Sequence, residues 1–185
     1  MRPIAIMLTL LLAGSAQASP TEDYWLALTT LCGKAFAGQL IDAPADDDFA
    51  GKSLVMHVRD CSDTRIRIPF AVGDDLSRTW VLTRSGDRIT LKHDHRQADG
   101  SPDDITLYGG TSSNAGRAGE QLFPADEETR EIIEPAFANV WTMRVTPGDV
   151  FTYGLWRLGT PRVFRVDFDL STPVQPPPAP WGWED

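Results

Sequence analysis

The chain has 185 residues, 42% of them hydrophobic and 23% charged, with a net charge of −9 from 17 basic and 26 acidic side chains. A chain of this size suits one domain and can bury roughly 70% of its unfolded surface, enough for a core without staples. Its acidity repels phosphate backbones and anionic lipid, which argues against nucleic acid and membrane surfaces as partners.

Arg2, the apolar run from Ile4 to Ala13 and the small-x-small triplet Ala16-Gln17-Ala18 have the pattern of a secretory signal peptide cut after Ala18. The run is shorter than the ~20 residues of a membrane span. No Cys follows the cleavage point to accept a lipid, so no membrane anchor is expected. Cleavage leaves 167 residues, and because Arg2 is the only charged residue removed, the net charge becomes −10. The expected compartment is periplasmic or extracellular, and oxidising. Cys32 and Cys61 are therefore expected to pair, closing a loop of about 30 residues worth roughly 3.5 kcal/mol in the chain-entropy account.

Thr21 to Cys32 has the features of a short amphipathic helix: Thr21 as cap, acids in the first turn, and Trp25, Leu28 and Leu31 on one stripe before Gly33. From Phe36 the rhythm changes to period two. Ser53 to Asp60 sets Leu54, Met56 and Val58 against Val55, His57 and Arg59, which predicts an outward His57. Thr64 to Phe70, Thr79 to Arg84 and Arg88 to His95 follow, the last two joined by the turn Ser85-Gly86-Asp87. Ile105 to Tyr108 comes next, then a Gly/Ser-rich stretch from Gly109 to Gly119 that predicts a mobile loop. Pro124 to Ala138 predicts a helix, with Phe123 as a staple before it, apolar Ile132, Ile133 and Phe137, and Pro135 ending or kinking it. Val140 to Thr146, Val150 to Leu158 and Arg162 to Leu170 complete about nine short strands. Turns this short require antiparallel pairing. The expected fold is mainly β: a single antiparallel β-barrel or closely related sandwich over residues 19–171, with an N-terminal helix and one helix near 124–138. Residues 172–185 form a Pro/Trp-rich tail whose default is extended, with Trp181 and Trp183 either docked on the barrel or exposed as a recognition tip.

His93-Asp94-His95 is the sharpest local feature. The two histidines share a face with Ile89 and Leu91, so they continue the apolar side toward a strand end near the barrel rim. Two imidazoles there can form half of a divalent-metal site or an acid/base pair, but a plain strand end entering a polar turn is the stronger explanation. Close together, they would repel and resist double protonation below about pH 6. The loop from Asp94 to Asp104 lacks the acid spacing of a calcium loop and reads as a hairpin turn with solvated acids. There is no G-x-S-x-G, no phosphate loop and no free thiol, so no catalytic residue is assigned. Aromatics populate the strands, with Arg144, Arg157 and Arg165 among them; Arg165 and Asp167 share a face and can pair. A barrel of eight to ten strands can hold one small ligand. His93, His95, Tyr108, Trp141 and Tyr153 are the candidate contacts.

The run Arg78-Thr79-Trp80, Lys92-His93-Asp94-His95-Arg96, Asp99-Gly100 and Tyr108-Gly109-Gly110 resembles a group of small exported bacterial proteins of uncharacterised function. The likeness extends from about Cys32 to Leu170 and implies an exported β domain without assigning an activity. The strand pattern is similar to lipocalin-like barrels in architecture alone, since the Gly-x-Trp of their first strand is missing. The expected function is non-enzymatic binding of a small, partly apolar ligand, with no cofactor. The alternatives are a metal-binding protein or enzyme centred on His93 and His95, and a protein-interaction module using the tail, its protein partner unidentified.

Overall fold

Among the described residues, eleven strands, all paired antiparallel, form one sheet that closes nearly completely into a barrel. The computed structural model describes residues 18–45 and 47–184; the signal-peptide reading falls outside them except for Ala18. The strands are β1 (Ala35–Asp42), β2 (Leu54–His57), β3 (Asp60–Cys61), β4 (Arg65–Val72), β5 (Asp75–Ser85) and β6 (Arg88–His95). They continue as β7 (Tyr108–Thr111), β8 (Glu120–Pro124), β9 (Asn139–Thr146), β10 (Val150–Arg157) and β11 (Val163–Asp169). The count exceeds the expected nine because the short β3 and β8 carry too few residues to show a period. β2 and β3 both pair with β4 and act as one interrupted strand.

The connectivity is an up-and-down meander. With β2 and β3 counted as one strand, each strand from β1 to β7 and from β8 to β11 hydrogen-bonds its sequence neighbour, and β11 returns to pair with β1, Gly38 opposite Phe168. The remaining seam lies between β7 and β8. There Asp126 N–H donates to Gly109 O (3.0 Å). A Cβ on Gly110 would stand 1.8 Å from Pro124 O, so only glycine permits this approach. Gly109 to Thr111 is thus strand rather than the expected mobile loop, and the predicted strand at Ile105 is instead an exposed turn.

Helix α1 (Pro20–Thr29) is capped by Ser19, two residues before the expected cap Thr21. Ser19 Oγ accepts from Glu22 N–H (3.2 Å) and Glu22 Oε2 accepts from Ser19 N–H (2.9 Å), a reciprocal box that satisfies two exposed donors. Thr21 is buried, its hydroxyl within reach of Asp87 O (3.1 Å) and Ala115 O (3.0 Å). Tyr24, Trp25, Leu28 and Leu31 face inward, so α1 plugs the end of the barrel that carries the β5–β6 turn and the β7–β8 loop. The Cys32–Cys61 disulfide ties this plug to β3.

The expected helix over 124–138 resolves into three pieces. Residues 120–124 are β8, α2 spans Glu127–Ile132 under an Asp126 cap, and a 3-10 helix covers Glu134–Ala138. Pro135 stops α2, as its missing N–H requires. Ile132 and Phe137 are exposed, so the spacing that suggested an inward apolar stripe does not bury them.

His57 is buried rather than outward to solvent. It lies opposite Ala35 in the sheet, and Val174 of the tail bridges to Ala35. The tail is extended, as its prolines dictate, and docked. Trp181 N–H donates to Leu76 O (3.2 Å), Gly182 abuts Gly100, and the Arg67 guanidinium lies 4.1 Å over the Trp183 ring. This strap crosses the outer face of the barrel from β1 to β5.

Candidate functional site

The end of the barrel opposite α1 holds a cavity of about 280 Å³, at the low end of the ~300–1,000 Å³ usual for small-molecule pockets. Strand alternation builds it. The core rows Ile66-Ile68-Phe70, Ile89-Leu91-His93 and Trp141-Met143-Val145 all point inward, and their site-end members form the cavity wall. Two segments cross the mouth. Asp47 and Phe49 come from the β1–β2 loop, while Ile133 and Ala136 come from the α2 region.

The floor is an aromatic stack. Trp80 lies 4.5 Å from Tyr153 and 4.8 Å from Phe70, centroid to centroid, nearly parallel to each. On the opposite side His93 stacks on Tyr108 at 4.6 Å and 9°. Contacts of this kind contribute about 0.5–1.5 kcal/mol each beyond area burial, so the shape of the cup is fixed by its own walls.

The polar groups of the cup are mutually satisfied. His93 Nδ1 is 3.1 Å from Tyr108 O, and a carbonyl only accepts, so Nδ1 carries the proton. Nε2 is then the acceptor for the Tyr153 hydroxyl, which donates at 2.8 Å. Tyr108 Oη and His95 Nε2 form a second pair at 3.1 Å. Burial lowers the His93 pKa to about 3, helped by the nearby His95 and Lys92 and opposed by the Tyr108 carbonyl. His95 is also lowered, first by burial and then by Arg78, against Asp103, Asp75 and Asp94. Burial thus outweighs the imidazole–imidazole repulsion expected from the sequence. It also pushes Tyr108 up to about 12 and Tyr153 well above its ordinary value. All four groups are uncharged near neutral pH.

All five residues singled out from the sequence, His93, His95, Tyr108, Trp141 and Tyr153, line this one cavity. The fold brings them together from β6, β7, β9 and β10. Coordination of a metal by His93 would require it to give up the Tyr153 bond or shed its Nδ1 proton, and among the described residues no group of three or more His, Cys, Asp or Glu side chains clusters. Arg144 and Arg165 lie elsewhere, paired to Glu120 and Asp167. Arg78 and Asn139 were not legible as cavity residues because each lies one residue before the strands expected at Thr79 and Val140, and Arg162 and the two mouth segments lie outside the strands, where no period places a residue over a barrel end.

Helix α2 is pinned beside the mouth. Lys92 Nζ donates to Asp126 (2.7 Å) and Glu128 (2.6 Å), and Gly109 N–H donates to Thr129 Oγ1 (2.7 Å). The same bonds seal the β7–β8 seam, so the mouth and the barrel closure share their supports.

The chain matches no family model, no curated protein and no solved structure. Fold and cavity therefore define a class by themselves: an up-and-down antiparallel β-barrel, plugged at one end and holding an aromatic-walled cavity at the other. No helix among the described residues is long and apolar enough to cross a membrane.

Proposed function

We propose that this is an exported, non-enzymatic protein that holds a small, partly apolar molecule in the mouth of its barrel. The observation that carries the reading is the aromatic cup itself, an open cavity whose histidine and tyrosine groups already satisfy one another. A wall of that kind offers π faces and apolar surface, the usual composition of ligand pockets. Neutral, hydrogen-bonded histidines fit a binding role better than a metal site or a proton-transfer pair, which need an unengaged nitrogen or a pKa near the working pH. Export is supported by the signal-like N-terminal sequence and by the Cys32–Cys61 disulfide. The docked tail favours a structural strap over a free recognition tip.

The test is a thermal-shift screen of the intact protein against compact aromatic and alicyclic compounds, repeated on Ile133→Trp. Ile133 stands half-buried at the mouth, so an indole there fills the opening without entering the core. Compounds that raise Tm in the parent and not in the variant support the reading. A screen in which no compound raises Tm, or equal shifts in both proteins, sinks it.

A further inference from the structure

The charges around the mouth are not balanced. Three guanidiniums, Arg78, Arg157 and Arg162, line the cavity against one carboxylate, Asp47. Arg78 is committed to Asp75 (2.5 Å), and Asp47 Oδ1 accepts from Phe49 N–H (3.0 Å). Arg157 and Arg162 are different. They flank the β10–β11 turn, joined by a backbone bond from Arg157 N–H to Arg162 O (3.0 Å). Arg157 Nε–H donates only to the neutral amide oxygen of Asn139 (2.8 Å), and Arg162 has no side-chain partner among the described residues. Asp42, in a groove adjoining the cavity beside both arginines, forms no ion pair with either.

In a chain with 26 acidic residues, two adjacent guanidiniums without a carboxylate are conspicuous. Burial makes the Arg157 charge more costly and the neighbouring Arg162 adds to that, lowering the Arg157 pKa. A ligand anion would relieve that cost. A guanidinium presents a planar fork of donors that matches a carboxylate, and its weak hydration suits the edge of an apolar site.

Resting on the binding role proposed above, we infer that the ligand is a compact aromatic carboxylate, its ring in the cup beside Trp80 and Tyr153 and its carboxylate on Arg157 and Arg162. The cavity volume restricts the body to about one ring system, which leaves out long-chain lipids and macrocycles. The neutral histidines place no competing cation at the floor, so the anionic end points outward to the rim.

The experiment is a ligand-observed NMR titration of the intact protein with benzoate, benzyl alcohol and benzylamine, three probes sharing a ring and differing in charge. The expected result is benzoate binding about ten-fold or more tightly than benzyl alcohol, as one charge-assisted hydrogen bond would give, with benzylamine weakest. Arg162→Gln, on an exposed side chain that does not threaten folding, and Arg157→Gln should each erase the preference and leave benzyl alcohol unchanged. Equal or better binding of the alcohol or the amine overturns the carboxylate assignment while the cavity reading stands. A benzoate preference that survives both substitutions removes these arginines from the site. Binding by none of the three probes overturns the cavity reading and this inference together.

Discussion

His93 shows how burial alone can set the chemistry of a side chain. Its ring accepts from Tyr153, donates to a carbonyl and stacks on Tyr108, so protonation would strip one bond and leave a charge in an apolar wall. The folded pKa, about 3, lies below the ordinary unfolded value of 6.5. The unfolded chain therefore binds the extra proton, and the stabilisation is present in full above pH 6.5 and lost as pH falls from there toward 3. Denaturant unfolding at a series of pH values should show stability declining by up to about 1.4 kcal/mol per unit within that window, a slope that His93→Gln should reduce. An unchanged slope in that variant would place the titration elsewhere. Tyr153→Phe tests the same wall differently. It leaves His93 Nε2 as a buried acceptor without a donor, and the expected cost is about 1–3 kcal/mol. At this scale the sequence was informative, because period two in β6 put His93 in phase with Ile89 and Leu91. The hydroxyl that engages it was not legible, since Tyr153 lies 60 residues away and meets His93 only when the barrel closes.

Among the elements, glycine meant different things in different places. Gly109-Gly110 suggested a mobile loop because Gly and Ser surround it, yet both residues are strand, Gly109 kept bare by the Leu91 backbone of β6 and Gly110 by the Pro124 backbone across the seam. Gly110→Ala should cost several kcal/mol, in the range of other buried overpacking changes, and hydrogen exchange should show the β7 and β8 amides opening first. Retained protection there would contradict the seam. β8 escaped notice because it has only five residues, ends in proline and adjoins apolar positions spaced like a helix. The tail makes a related point. Polyproline geometry was legible from composition, whereas its docking depends on Gly182 meeting Gly100 and on Trp183 lying under Arg67. Truncation after Leu170 removes the tail's bonds to Ala35 and Leu76 and the Arg67 contact with Trp183, so a loss of about 1–3 kcal/mol is expected. Unchanged melting would support a free recognition tail instead.

For the whole molecule, the turns Ser85-Gly86-Asp87 and Pro147-Gly148-Asp149 made antiparallel neighbours predictable, and the meander is their sum. Closure was a different matter, because the pairing of β11 with β1 joins residues more than 120 positions apart and no local signal encodes it. Closure creates the cavity, with α1 plugging one end and the loops over the other leaving a mouth. The measurement that bears most directly on a binding role is native mass spectrometry of the protein purified from the compartment to which its own host delivers it, beside the same sample denatured. A native mass exceeding the denatured mass by one compact organic molecule, with the excess absent in Ile133→Trp, is the predicted result. Identical native and denatured masses for the parent protein would contradict it.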